Sequence, residues 1–374
     1  MPFANEPGVH IYKSNNFSKL FQLFLPGHKI FLLNNITHIS TRFLYGAIVF
    51  FSFLTVILVS GILITVLRKK IMFDKRSMIV RQLEDWIMEV VLENASDNQS
   101  FFLPAAVSLV LKSQLAKRVL LRKLMELKKS LSGVSGDNIQ KVYSQLNLQE
   151  ISLKRLESKY WHVKARGLQE LAVMHQDAYH EKVFELTNNK DTMVRMEAQI
   201  SIVRLKGYSG LQFFDTLSYP LSEWHQLNLL SLLGHLPLSN EDGILSWLKS
   251  FNLSVVQFSL KLIGEQHAVE FHDEVINCLG HPEIIVRREA ILCLGQMPSQ
   301  EAATALKAHY LVEPDKNLQM IVIQILRKTG SHLDLPFLHI LQNGEDLDIK
   351  LVADRSVLYL QKINGNRQIP VTAT

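Results

Sequence analysis

The longest hydrophobic run in the chain is FLYGAIVFFSFLTVILVSGILITVL, which extends from Phe43 to Leu67 without a charge. At about 1.5 Å per residue, a helix of this length reaches roughly 37 Å and crosses a bilayer core of about 30 Å with some tilt. The run is followed by Arg68, Lys69 and Lys70 and not by a small-residue cleavage site. It therefore predicts an uncleaved transmembrane helix in preference to a signal peptide or a buried core helix.

Basic residues around this run predict its orientation. The residues that follow it include Arg68, Lys69, Lys70, Lys75, Arg76 and Arg81. Only Lys29 and Arg42 precede it within a comparable distance. Because positive residues stay on the cytoplasmic side, we expect residues 1–42 to face outward and the residues after Leu67 to lie in the cytoplasm.

Helical spacing of apolar residues continues beyond the predicted span. Arg76 to Glu93 carries an apolar stripe, and a longer basic helix is predicted from Pro104 to about Leu131, followed by a linker at Gly133–Asp137. The basic helix either lies on anionic lipid headgroups or packs on protein with a solvated basic face. Its candidate lipid contacts are Lys112, Lys117, Arg118, Arg122, Lys123, Lys128 and Lys129.

One helical pattern then recurs with a nearly constant period. If the apolar start of each copy is taken as a register position, neighbouring copies are separated by about 31 residues, a period typical of repeat proteins. The seven register positions are Val163, Val194, Trp224, Val255, Val286, Leu318 and Ile349. A fixed period of this length indicates stacked helix pairs, since one pair cannot bury its own apolar face.

Each copy has the same predicted internal design. A short apolar helix precedes a second helix that starts near an Asp or Ser N-cap and carries a small residue four after the register position, and several of these second helices end at a glycine. The predicted caps are Asp191, Ser222, Ser254, Asp315 and Asp346. The small residues are Gly167, Ala198, Ser259, Ala290 and Ala353. The terminating glycines are Gly207, Gly234, Gly264, Gly295 and Gly330.

The segments VKARGLQEL, VRMEA and VRREAILCLG, which start at Val163, Val194 and Val286, resemble the second-helix signature of HEAT repeats, in particular the short HEAT-like repeats of phycobilisome lyases. The resemblance covers roughly residues 150–362 and implies an architecture and, loosely, a protein-binding surface, but not the lyase reaction. Short HEAT-like repeats are common in bacterial proteins, so a bacterial inner membrane is the preferred location.

The predicted fold is therefore all-α, with one N-terminal transmembrane helix and a cytoplasmic solenoid of about seven helix pairs. The predicted domains are an outward segment at 1–42, the membrane helix at 43–67, a basic juxtamembrane region at 68–136 and the solenoid at 137–374. Of the net charge of +5, residues 1–136 contribute +9 and residues 137–374 contribute −4. A mildly acidic solenoid argues against nucleic acid as a partner.

Catalytic motifs are absent from the sequence, which contains no GxSxG, Walker glycine loop, GxGxxG or HEXXH pattern. We predict neither a cofactor nor a metal site. Cys278 and Cys293 are expected to lie too far apart for a disulfide, and Trp86, Trp161, Trp224 and Trp247 are expected in the core. Acid and base four residues apart predict local pairs: Asp191 with Arg195, Glu283 with Arg287, and Asp346 with Lys350. In HEAT-like proteins similar groups form ladders between repeats.

The predicted function is a non-enzymatic scaffold that holds a partner protein at the membrane, for example another membrane or envelope protein. Second-helix residues expected to be exposed form the candidate binding surface: Gln199, Arg204, Gln226, Gln257, Lys261, Arg288, Gln319 and Arg355. Two alternatives remain open: a HEAT-like enzyme of the lyase or DNA glycosylase type, and lipid or envelope organisation through the basic helix.

Overall fold

The computed structural model describes residues 41–92, 100–238, 241–329 and 331–367, and every regular element in these ranges is helical. The predicted all-α class is confirmed. The chain divides into two compact units, Met1–Met78 and Ile79–Thr374. Helix α1, Thr41–Leu92, begins in the first unit and ends in the second. It contains the predicted membrane span, and its segment from Arg42 is long and apolar enough to cross a membrane.

The second unit continues with sixteen helices among its described residues. Near its N-terminus these are α2 (Ala105–Leu111), α3 (Gln114–Ser130), α4 (Gly133–Gln145) and α5 (Gln149–Leu156). Then come α6 (Trp161–Val173), α7 (His180–Phe184), α8 (Thr192–Lys206), α9 (Glu223–Leu233), α10 (Glu241–Trp247) and α11 (Leu253–Gln266). The last are α12 (His272–Cys278), α13 (Ile284–Gln296), α14 (Gln300–Val312), α15 (Lys316–Thr329), α16 (Leu335–Gln342) and α17 (Leu347–Arg367). Short 3₁₀ segments at Asp177–Tyr179, Gly207–Thr216, Val269–Phe271 and His332–Asp334 form or extend first helices.

The basic helix packs on protein, and its predicted boundaries need correction. The chain breaks between α2 and α3, where the Ser113 hydroxyl accepts a hydrogen bond from the Leu115 amide at 3.3 Å. The predicted linker is the first turn of α4. Ser135 of α4 donates to the Val91 carbonyl at 2.8 Å and Asn138 donates to that of Val90 at 2.9 Å, so they satisfy the C-terminal end of α1.

Two hydrophobic cores fill the second unit. The first joins the end of α1 to α2, α3 and α4 and includes Leu83, Trp86, Leu120, Leu124 and Tyr143. It extends on both sides of position 137, where we predicted the solenoid to begin. The second core runs from Leu168 to Leu360 through the helix pairs. A continuous core of this kind is what stacked repeats require.

The seven second helices are α6, α8, α9, α11, α13, α15 and α17. Their register residues Val194, Val255, Val286 and Leu318 are buried. Val163 and Ile349 are half-buried, and the third copy differs most, because Trp224 is exposed and His225 is buried instead. The register position of this copy therefore moves to His225, and the period stays within one residue of constant.

The small residues allow close helix contacts as predicted. Ala198, Ser259, Ala290 and Ala353 are fully buried. A Cβ on Gly167 would lie 2.7 Å from the Ser152 carbonyl oxygen of α5, a distance that real side chains do not reach.

The terminal glycines act in two different ways. Gly207 ends α8 with a left-handed φ of 58°. Gly264 and Gly295 lie just inside their helices, where a Cβ would collide with Gln296 and Ile325 of the next second helix. They permit close stacking and do not end the helices. Gly234 follows α9 directly, and Gly330 lies outside the described residues.

Four of the five predicted N-caps are confirmed: Asp191, Ser222, Asp315 and Asp346 accept hydrogen bonds from the first amides of their helices. The fifth is wrong. Asn252 caps α11, and Ser254 lies inside it, with its hydroxyl donating to Asn252 at 2.7 Å.

Candidate partner-binding surface

Large apolar side chains are exposed at the starts of four second helices. Trp161 is 47% exposed, Met193 50% and Trp224 69%, and Ile284 and Ile285 at the start of α13 are also exposed. Because second helices stack in register, their starts lie along one edge of the solenoid. We call these five residues the apolar edge.

The four tryptophans divide between the core and this edge. Trp86 and Trp247 are buried, as predicted. The prediction that all four lie in the core is wrong for Trp161 and Trp224, because each occupies the exposed first turn of a second helix. These two side chains are therefore available to a partner.

A groove of about 460 Å³ opens beside the first two members of the apolar edge. Helices α3, α6 and α8 line it. Met125, Trp161 and Met193 provide its apolar surface, and Arg122 and Lys129 are exposed cations at its rim. Tryptophan, methionine and arginine are enriched at protein interfaces, and aromatic anchors carry much of the binding energy there.

A buried carboxylate, that of Glu170, is part of the lining of this groove. Glu170 accepts hydrogen bonds from the Ser152 hydroxyl at 2.9 Å, from Arg155 and from Arg166 at 3.2 Å. These bonds connect α5 to α6. Gln169 of α6 donates to Glu197 of the neighbouring helix α8 at 2.9 Å, while burial raises the pKa of the Glu197 carboxyl. The walls of the groove are thus held by bonds within and between repeats.

Two of the eight predicted surface residues are buried, so their expected exposure is wrong. Gln199 and Gln226 are each 1% exposed. Gln199 donates to the Thr187 carbonyl at 2.7 Å, and Gln226 accepts from the Lys261 ammonium at 2.9 Å. Both amides hold neighbouring segments together and are not available to a partner.

The other six predicted residues are reached by solvent to different degrees. Arg288 and Arg355 are exposed, whereas Arg204 and Gln257 are half-buried. Lys261 is engaged with Gln226 and lies 3.9 Å from Glu289, and Gln319 donates to the Glu313 carbonyl at 2.9 Å. Arg288 and Arg355 therefore stay the strongest predicted contacts of the original set.

The predicted local acid–base pairs are replaced by contacts with more distant residues. The Arg195 guanidinium donates to the Asn189 carbonyl at 2.6 Å and stacks on Tyr219. Arg287 binds Glu313, which precedes the next second helix, and Asp346 lies 2.9 Å from Lys316 of the preceding one. The ladders implied by the resemblance are present, with partners other than those four residues away.

The seven predicted lipid contacts do not share one face of α3. Its apolar side is buried by α1 and α4, which excludes the helix from lying with that side in lipid. Arg122 and Lys129 line the groove described above, Lys117 and Arg118 line a second cleft, and Lys123 lies beside α1. Lys112 is exposed between α2 and α3, and burial lowers the pKa of Lys128.

Neither cysteine is in a disulfide, and both are buried on the helix pair α12–α13. Burial raises the pKa of the Cys278 thiol to about 11 and also raises that of Cys293. A thiol with a raised pKa is mostly protonated near neutral pH and is a poor nucleophile. The two cysteines therefore serve as small core residues.

Burial of His225 makes the stability of the fold depend on pH. Its Nε2 lies 2.7 Å from the Gln199 side-chain oxygen, and burial, followed by the nearby Arg195 charge, lowers its pKa to about 4. The unfolded histidine binds a proton near pH 6.5, whereas the folded one binds it only near pH 4. Stability contributed by neutral His225 is thus present above pH 6.5 and is lost as the pH falls toward 4.

We expect the His225→Gln variant to lose less stability on acidification than the wild type. The shift of the His225 pKa corresponds to about 3 kcal/mol between pH 6.5 and pH 4. Urea unfolding of both proteins across this range measures the free energy of unfolding of each. Subtracting one pH profile from the other removes the contributions of groups that both proteins contain, such as His175 and His309, whose pKa values burial also lowers. Parallel pH profiles for the two proteins would contradict the assignment.

The sequence contains a signal for the apolar edge that the repeat pattern alone did not bring out. Trp161, Met193 and Ile285 come one or two residues before their register positions, where a buried stripe does not require apolar residues. Trp224 belongs to the same set once His225 takes the register position.

Comparison with known proteins identifies the repeat type. Residues 242–357 match the family model for HEAT repeats. No curated protein matches the chain. Among solved structures, the complex of CpcE and CpcF of phycocyanin lyase from Nostoc sp. PCC7120 is similar, with 15% identity, 75% of this chain and 94% of that chain covered, and a TM-score of 0.25. An engineered protein from the Northeast Structural Genomics Consortium is similar at 13% identity. The match covers 74% of this chain and 98% of that chain, with a TM-score of 0.32.

Proposed function

We propose that this chain, whose residues 242–357 are HEAT repeats, is a membrane-anchored scaffold that holds a partner protein at the cytoplasmic side of a bacterial inner membrane. In this proposal residues 43–67 span the bilayer and the solenoid binds the partner through the apolar edge. The role is binding and not catalysis.

The apolar edge is the observation that carries the binding role. Exposing large apolar side chains is unfavourable in water, and contiguous exposed apolar surface, such as Trp161 and Met193 provide in their shared groove, marks interaction sites. Since exposed Arg122 and Lys129 and the acid Glu126 surround the groove, a fitting partner presents apolar side chains flanked by charges of both signs. Such a segment would place its apolar residues against Trp161 and Met193.

The exposure of the apolar run supports the membrane anchor. Phe43–Leu67 is exposed on all sides of α1, including Val49, Phe53 and Val59. A soluble helix hides at least one apolar face, whereas a bilayer accepts a helix that is apolar all round. An anchor also raises the local concentration of whatever the solenoid binds.

A crosslinking experiment tests the binding role. The full chain carrying Trp161→Ala and Trp224→Ala is compared with the wild type by crosslinking in intact membranes, followed by identification of the captured protein. Loss of each anchor is expected to weaken capture about tenfold or more, as for aromatic residues at other interfaces. The matched control is Phe251→Ala with Leu311→Ala, which removes two exposed apolar residues elsewhere and leaves capture unchanged.

Two results would contradict the proposal. One is the absence of any specific partner from wild-type membranes. The other is an equal loss of capture in the test and control variants, which would show that the apolar edge has no special role.

A further inference from the structure

We propose that the cleft between α3 and α5 binds a phosphate-bearing anion. This basic cleft has a volume of about 380 Å³, and the residues that line it include Gln114, Lys117, Arg118, Asn147, Lys154 and Arg155. Its size falls within the range of about 300 to 1,000 Å³ usual for small-molecule sites. The inference is independent of the partner-binding proposal, since these residues do not belong to the apolar edge.

Two helices contribute cations to the basic cleft from opposite sides. On α3, Gln114, Lys117 and Arg118 are three or four residues apart and therefore share one face. On α5, Glu150 and Lys154 have the same relation. Facing helices are normally stabilised by opposite charges, whereas here both carry positive charges into the same space.

The carboxylates nearby do not neutralise this cleft. Arg155 is engaged with the buried carboxylate of Glu170. For Lys117, Arg118 and Lys154, the described part of the chain provides no ion pair. Glu150 is the one acid among the lining residues, so three uncommitted cations face a single carboxylate. Like charges across a cleft repel each other, and an anion between them converts that repulsion into attraction.

The side-chain types favour phosphate. The Arg118 guanidinium offers a planar pair of donors suited to two phosphate oxygens, while Lys117 and Lys154 supply compact charges from either wall. The cleft is large enough for a phosphate ester and not only for the bare ion. The same chemistry is present in an anionic phospholipid headgroup and in a soluble phosphate ester.

The experiment uses the full chain in a neutral detergent and measures binding by calorimetry. The probes are inorganic phosphate, glycerol 3-phosphate and phosphatidylglycerol in mixed micelles, with phosphatidylcholine micelles and equal ionic strength of chloride as references. We expect at least one phosphate probe to bind above the references. Binding of phosphatidylglycerol alone identifies a lipid headgroup as the source, whereas comparable binding of glycerol 3-phosphate identifies a soluble ester.

Paired variants locate the site. Lys117→Gln with Lys154→Gln is expected to weaken binding about tenfold or more, because two charge-assisted hydrogen bonds are removed. Lys112→Gln with Lys123→Gln removes the same charge outside the cleft and is expected to change binding less than about twofold. Lys117→Arg with Lys154→Arg keeps the charge and retains binding. Equal losses in the two glutamine pairs, or wild-type binding no stronger than the references, would overturn the proposal.

Discussion

Replacing Glu313 with glutamine is expected to lower the free energy of unfolding by about 3 to 5 kcal/mol, the usual cost of removing one partner from a buried ion pair. Glu313 is buried between α14 and α15, and both of its oxygens are used. Arg287 of α13 donates to them through Nε at 2.8 Å and Nη2 at 2.9 Å. The glutamine would leave this guanidinium partly paired against a side chain that is fully buried.

Two further contacts make the carboxylate of Glu313 a junction between repeats. His309 Nε2 lies 2.9 Å from Oε2, and the Asp315 amide donates to Oε1 at 3.0 Å. Burial alone would raise the pKa of this carboxyl, but the hydrogen bonds from Arg287 and the Asp315 amide, together with the Arg287 and His309 charges, outweigh burial, so the pKa is lowered. Glu313 therefore stays ionised in the fold, and its charge is what the variant removes.

Glu283→Gln is the matched control. Glu283 is four residues before Arg287 and is the partner that helix spacing predicts, but it is exposed and its side chain does not cap α13. We expect a change within about 0.5 kcal/mol, as for other surface substitutions. Urea unfolding of both variants, with hydrogen exchange to follow α13 to α15, measures the two effects. Equal destabilisation would contradict the Arg287–Glu313 assignment.

This pair also shows which part of the fold is predictable. The repeat period, the buried small residues and four of the five N-caps depend on local spacing, and they follow correctly from the sequence. Arg287 and Glu313 belong to different repeats, so their contact exists only because one helix pair stacks on the next. Spacing rules consider only residues of the same helix. They therefore predict the nearest acid in the chain as the partner.

The same limit explains the errors at Gln199, Gln226 and Trp224. Glutamines are predicted at the surface because polar residues are usually found there, yet these two amides are satisfied by Thr187, His225 and Lys261 of adjacent segments. Trp224 is predicted in the core because it is large and apolar. A neutral histidine with a hydrogen-bond partner takes the buried position beside it, and the tryptophan is left at the edge.

The apolar edge and the basic cleft could not have been predicted as sites. Trp161, Met193 and Trp224 are about 31 residues apart in the sequence, and only stacking places the starts of their helices along one edge. Lys117 and Lys154 come from helices that no sequence pattern pairs. In both cases the residue types were visible and their grouping was not.

Introducing arginine into the apolar run is expected to have the largest effect of all. Each arginine near the middle of a transmembrane helix costs about 2.5 to 3.5 kcal/mol on insertion scales, so Leu54→Arg with Leu58→Arg costs about 5 to 7 kcal/mol. The two positions are one helical turn apart, and both side chains are exposed. If Phe43–Leu67 spans the bilayer, this variant should fail to insert and should leave the membrane fraction.

Met88→Arg with Leu92→Arg is the matched control, because it also replaces two exposed apolar residues of the same helix by arginine, four residues apart, but beyond the apolar run. This variant should resist alkaline carbonate extraction as the wild type does. A reporter fused after Thr374 gives the orientation, and accessibility from the outer side would contradict the predicted topology. Release of the wild type by carbonate would show that α1 does not span a bilayer. The solenoid would then lack a membrane anchor. The exposed apolar run of α1 would have to be covered by a protein partner and not by lipid.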